Sequence, residues 1–122
     1  MATKGSTRTY EQAEIEARLA ADNPRWRFED GALRRTYRTH DWKATLMVVN
    51  AIGHLAEAAW HHPDMAISYG RVDVGLSTHD AEGITDKDFA LARKIEEVVL
   101  WRPAGVTEAG AEGGGPGYIE YD

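Results

Sequence analysis

Hydrophobic and polar positions along the chain follow two periods, and the changes between them mark a helix, a hairpin, a helix, a strand and a helix. Over residues 10–21, Ala13, Ile15, Ala17, Leu19 and Ala20 are interspersed with charges, which suits a short surface helix. Asn23-Pro24 stops it, because the residue before a proline avoids helical geometry. The next run, WRFEDGALRRTYR, turns about Asp30-Gly31, a dipeptide favoured in two-residue hairpin turns because both central positions need positive φ. Such a turn sets Phe28 opposite Leu33 and Trp26 opposite Arg35, so Trp26, Phe28, Leu33 and Tyr37 share one face. Arg27, Arg34 and Arg38 share the other. Two arginines directly opposed are mildly destabilising, which calls for solvent, a carboxylate or a subunit contact on that face.

Asp41 is placed to cap the segment WKATLMVVNAIGHLAEAAWH, in which Leu46, Val49, Ile52, Gly53, Ala56 and Trp60 recur at helical spacing. Pro63 disfavours helical geometry at His62, so this long helix is predicted to stop near His61. Residues 66–78 read as one half-buried strand, with Val72, Val74 and Leu76 alternating against Arg71, Asp73 and Gly75. Tyr69 is out of phase with the valines, so it either faces away from the core or follows a bulge at Gly70. Thr85-Asp86-Lys87-Asp88 has the form of a capping box opening a last helix, whose predicted buried stripe is Phe89, Leu91, Ala92, Ile95, Val98 and Val99. Arg102-Pro103 ends it. This order predicts an α+β fold, an antiparallel sheet with helices packed on one face. The organisation is a flexible N-terminus over residues 1–8, a single domain over 9–102 and a tail over 103–122. The tail holds six of the chain's twelve glycines and is expected to be flexible, with Tyr118-Ile119-Glu120-Tyr121 as the segment able to dock.

Composition narrows the chemistry. The chain has 122 residues, 43% of them hydrophobic, enough for one core without staples. It has no cysteine, so thiolate metal sites, disulfides and cysteine nucleophiles are excluded together. No stretch has the length and apolarity of a signal peptide or a membrane span, so a cytoplasmic location is expected. Of the formal charge of −6, four negative charges (Glu108, Glu112, Glu120 and Asp122) belong to the tail, and −6 + 4 leaves −2 for residues 1–102. Such a body has no general attraction for nucleic acid.

Candidate chemistry gathers in residues 57–88. Three of the five histidines lie there, two adjacent at a predicted helix end and one just after a predicted strand. Histidine in general titrates near 6.5, so it donates or accepts protons close to neutrality, and the negative end of a helix favours a cation beside it. Glu57 stands four residues before His61, where a helix would bring the two side chains together. On the same assumption His54, Glu57 and His61 fall on one helical face and form a weaker, zinc-binding alternative, with no further ligand forced by the sequence. Asp88 alone is explained by its capping box.

The run Glu57-x3-His61-His62-Pro63-x5-Tyr69-x9-His79-x8-Asp88 closely resembles the signature of the pterin-4a-carbinolamine dehydratases, also called 4a-hydroxytetrahydrobiopterin dehydratases. The likeness extends to Trp26, Leu33-x-Arg35-x-Tyr37, Asp41-Trp42, Leu76-Ser77-Thr78-His79-Asp80 and Asp88-Phe89-x-Leu91-Ala92, and covers roughly residues 10–100. The resemblance implies a four-stranded antiparallel sheet with three helices on one face, and homodimers or homotetramers. It implies dehydration of a 4a-hydroxytetrahydropterin with no cofactor and no metal. His61, His62 and His79 match the family's catalytic histidines, and Glu57, Trp60, Ser77, Thr78, Asp80 and Asp88 its substrate-binding and supporting positions. The chain departs from the family at Met65, usually aromatic, at Trp60, more often small and polar, and at Glu82, commonly glycine. The first departure is expected to weaken stacking on the pterin. The same fold also serves as a dimerisation cofactor of a transcription factor and resembles rubisco assembly chaperones. Such scaffold roles need no histidines, whereas this chain keeps all three.

Overall fold

The computed structural model describes residues 8–104 and 117–121. Helix α1, Gln12–Asp22, opens on a capping box between Glu11 and Glu14 and buries Ile15 and Leu19. Strands β1, Arg27–Glu29, and β2, Ala32–Arg38, are joined at Asp30 (φ 51°) and Gly31 (φ 76°), the two positive angles that the Asp-Gly pair supplies. Their register sets Phe28 opposite Leu33 and Arg27 opposite Arg34. The opposed arginines are satisfied locally: Arg27 donates to Glu29 Oε1, and Arg34 Nε donates to the Glu29 carbonyl at 2.7 Å.

Helix α2, Trp42–Ala59, starts at Asp41, whose carboxylate accepts from Ala44 N–H at 2.8 Å. It is followed not by one strand but by a hairpin: β3, Asp64–Ser68, and β4, Arg71–Leu76, joined at Tyr69-Gly70. The predicted single strand thus starts two residues late and merges two strands, because β3 is an exposed edge strand whose residues carry no alternation to mark it. Tyr69 is exposed in the turn, so it does face away from the core and there is no bulge. Gly70 is needed for space: a Cβ there would lie 3.1 Å from the Thr39 carbonyl oxygen. Helix α3, Asp86–Val99, opens with the expected capping box between Thr85 and Asp88.

The sheet is antiparallel throughout, in the order β1-β2-β4-β3. Leu33, Tyr37, Val72, Val74 and Leu76 lie on its inner face, fully or almost fully buried, against Ile15 and Leu19 of α1, Val48 and Ile52 of α2, and Ala92 and Ile95 of α3. Two predicted stripes need correction. Leu46 and Val98 are 40% and 42% exposed, and α2 buries Ala44, Thr45 and Val48 beside the predicted Ile52 and Ala56. Each helix has apolar residues on a second flank, and periodicity alone does not tell which flank meets the sheet.

One polar network pins the first hairpin to α3. The Glu96 carboxylate accepts from Trp26 Nε1 (3.0 Å), Arg35 Nε (2.9 Å) and the Tyr37 hydroxyl (2.7 Å). Arg35 is 4% exposed. Burial pushes Glu96 up, but the bonds from Arg35 and Tyr37 outweigh it and hold the carboxyl below its ordinary range. Burial, then the Glu96 charge, push the Tyr37 phenol well above its ordinary value, so it stays a donor.

The glycine-rich stretch expected to be flexible lies outside the described residues, as do residues 1–7. The docking expected for the chain's last residues is present. Ile119 is 1% exposed and bridges Thr39, His40 N–H donates to the Tyr118 carbonyl, and Glu120 N–H donates to the Arg38 carbonyl. This segment lies along β2 beyond the reach of the short β1.

Candidate active site

The end of α2 is set by Trp60, which takes left-handed backbone angles (φ 51°, ψ 48°). Trp60 N–H bonds the Glu57 carbonyl and His61 N–H bonds the Ala56 carbonyl, the paired contacts of a Schellman closure. The chain therefore leaves the helix before His61. This overturns the expected Glu57–His61 pair, because the two residues no longer stack on consecutive turns. It also removes the shared helical face of His54, Glu57 and His61 on which the zinc alternative rested. Glu57 Oε2 instead accepts from His62 Nε2 at 2.6 Å, an exposed pair, and His62 meets the Trp60 ring edge to face with centroids 4.9 Å apart.

His61 turns inward. Its Nε2 donates to Asp88 Oδ1 at 2.6 Å, and Asp88 has no exposed surface. Asp88 Oδ2 accepts from the Thr78 hydroxyl (2.7 Å) and from Thr85 N–H (2.9 Å). Thr78 spends its one proton on Asp88, so the 2.8 Å contact with Thr85 is donated by Thr85. Asp88 is thus the reciprocal acid of the capping box and the partner of His61 at once. A carboxylate only accepts, so the ring proton sits on Nε2, and neutral His61 keeps its lone pair on Nδ1.

The two histidine segments meet through sheet register. β3 and β4 pair Asp64 with Gly75 and Met65 with Val74, each pair summing to 139. Continuing that sum by two residues sets His62 beside Ser77. Thr78 then opens a single 3₁₀ turn, His79–Ala81, closed by Glu82 in left-handed conformation (φ 57°). A non-glycine residue there costs about 1 kcal/mol, which accounts for a glycine preference at this turn.

An open cleft of about 420 Å³ lies between the two segments, lined by Trp60, His61, His62, Pro63, Asp64, Ser77, Thr78, His79, Asp80 and Lys87. Seven of the expected site residues line it directly. Glu57 and Asp88 stand behind His62 and His61 without lining it. Met65 is not in the cleft; it faces inward opposite Val74 and packs on the core, so its expected effect on stacking has no geometric basis. Lys87 and Asp64 were missed. Lys87 carries no sequence signal beyond its place in the first turn of α3, whereas Asp64 follows directly after His62-Pro63. Exposed His79 and inward-turned His61 give the cleft imidazoles in two different surroundings, a combination suited to moving two protons on one flat ligand.

Among the described residues no helix is long and apolar enough to cross a membrane. The family model described as pterin 4 alpha carbinolamine dehydratase matches residues 8–98. A protein of Aquifex aeolicus provisionally named pterin-4-alpha-carbinolamine dehydratase is 49% identical over 74 residues, covering 61% of this chain and 75% of its own length. One of the same provisional name from Chloroflexus aurantiacus is 47% identical over 88 residues, covering 72% of this chain and 94% of its own. A crystal structure from Brucella melitensis, described as a transcriptional coactivator/pterin dehydratase, superposes with a TM-score of 0.69 at 29% identity, covering 75% of this chain and 99% of that one. With the family model matching residues 8–98 and a relative 47% identical covered over 94% of its own length, the chain belongs to the pterin-4a-carbinolamine dehydratase family.

Proposed function

We propose that this protein is a cytoplasmic hydro-lyase that dehydrates 4a-hydroxytetrahydrobiopterin, or a close pterin relative, to the quinonoid dihydropterin, as part of tetrahydrobiopterin recycling. The observation that carries the reading is the convergence of His61, His62 and His79 on one cleft from two distant segments. In the reaction the C4a–O bond breaks and the hydroxyl leaves as water with a proton from an imidazolium. A second imidazole takes the proton of the neighbouring ring N–H, and the electron pair of that bond forms the new C=N double bond. No electrons are exchanged with a co-reactant. His61 suits the accepting role, because buried Asp88 faces the positive charge that proton capture creates. His79 and His62, both exposed, are left to serve the departing hydroxyl.

The test is the dehydration rate of a freshly generated 4a-hydroxytetrahydropterin. His79→Ala and His62→Ala are expected to lower it by about 10²–10⁴-fold with circular dichroism unchanged. Unchanged rates in both variants overturn the assignment. A second reading, a non-catalytic coactivator or chaperone-like scaffold, draws for its coactivator part on the Brucella relative, whose description names a transcriptional coactivator beside a pterin dehydratase. Partner binding by a wild-type protein that has no turnover favours it. The homodimer or homotetramer expected for either role is read by sedimentation.

A further inference from the structure

We propose that Trp60 is the ligand-stacking wall of this cleft, a flat face for a planar heterocycle that is braced by His62 and kept at the expense of fold stability. The inference rests on the pterin reading above and assigns the residue that grips the ring.

Three observations converge on it. Trp60 occupies the left-handed position that closes a Schellman motif, where glycine is the residue of choice and a side chain is strained. Trp60 is 75% exposed, so core packing does not repay that strain. Its ring contact is the edge-to-face one with His62, and it stands on the rim of a cleft otherwise lined mostly by polar groups. A large aromatic face held in solvent beside such groups is the surface a flat, hydrogen-bonding ring covers on binding: stacking supplies affinity and the polar groups supply orientation. The brace also runs the other way. His62 is held between the Glu57 carboxylate at 2.6 Å and the indole, its ring nearly perpendicular to that of Trp60, so losing the indole loosens an imidazole as well as a wall.

The experiment compares Trp60→Gly and Trp60→Phe with the full-length wild type, using a 7,8-dihydropterin that lacks the 4a-hydroxyl as an unreactive probe. Calorimetric titration is expected to show roughly tenfold weaker binding for W60G, the loss typical of one stacking face, while W60F stays within about threefold. Thermal melting is expected to move the opposite way, with W60G a few degrees above wild type, a combination a merely structural residue does not produce. In turnover assays W60G should raise KM more than it lowers kcat. Equal probe affinity in W60G and wild type overturns the proposal, as does W60F binding as weakly as W60G. A change of oligomeric state in W60G with unchanged affinity overturns it too, making Trp60 a subunit contact. A wild type that neither binds the probe nor turns over substrate removes the pterin reading itself, and this proposal with it; that result differs from a wild type that binds and a W60G that binds equally.

Discussion

Helix α3 carries two inward-reaching carboxylates eight residues apart, Asp88 fully buried and Glu96 half-buried, and they do opposite things. Glu96 receives an arginine, a phenol and an indole, so its charge is cancelled within the core, and the group rivets the β1–β2 hairpin to the helix. Asp88 receives two neutral donors on one oxygen and an imidazole on the other, and that imidazole lines an open cleft. Both project from one helix and both reach other elements. Burial of a carboxylate therefore does not distinguish scaffolding from chemistry; its last partner does. A carboxylate that meets a fixed cation is finished, whereas one that meets a group able to change its charge is still open to use.

Four experiments press on this contrast. The largest effect is expected from Glu96→Ala, which removes the carboxylate facing the buried Arg35 guanidinium and should lower unfolding free energy by about 3 kcal/mol in urea melts. Turnover per folded molecule should stay near wild type. Asp88→Asn keeps the size and an acceptor for Thr85 N–H but removes the charge facing His61. Turnover should fall about 10²-fold, equivalent to about 2.7 kcal/mol of barrier, with a smaller loss of stability than Glu96→Ala shows. If Asp88→Asn instead matches Glu96→Ala in stability loss and leaves turnover intact, the distinction between the two carboxylates is void.

Acid titration is gentler. Glu96 is held below its ordinary value of 4.5, so the unfolded chain takes up its proton first as pH falls. The stability it contributes is complete above that value and is lost as pH drops through the lower, folded one. The urea midpoint should fall steeply below about pH 4.5 in the wild type and less steeply in Glu96→Gln. The smallest effect belongs to Glu57→Gln. Its pair with His62 has the same 2.6 Å length as His61–Asp88 but is exposed on both sides, where such pairs contribute about 0.2–1 kcal/mol. Turnover should change less than about fivefold, measured beside Asp88→Asn.

What the sequence disclosed was mostly local or strictly periodic. Asp30-Gly31, the Asp41 cap, the Thr85–Asp88 box and the Val72, Val74, Leu76 alternation each carry their reason within a few residues. The histidines and their neighbours were legible as a spaced signature, but their pairing was not. Nothing in a tryptophan announces left-handed backbone, and that single angle at Trp60 hands Glu57 from His61 to His62. Strand β3 was half hidden because an exposed edge needs no alternation. Glu96 went unnoticed because its three partners lie 59 to 70 residues away in sequence. Asp88 was undervalued because its local task was a complete explanation.

The β3–β4 hairpin holds a ruler for the cleft. With Asp64 set against Gly75, the five rungs down to Ser68 and Arg71 fix where His62 lies relative to Ser77, and the turn that closes them is roughly 20 Å along the strand from His62. Inserting or deleting one residue within either strand swaps its inner and outer faces and slides one histidine segment past the other. The count of residues between Pro63 and Ser77 is thus more tightly constrained than their identities, and a change in length is admissible only at the Tyr69-Gly70 tip.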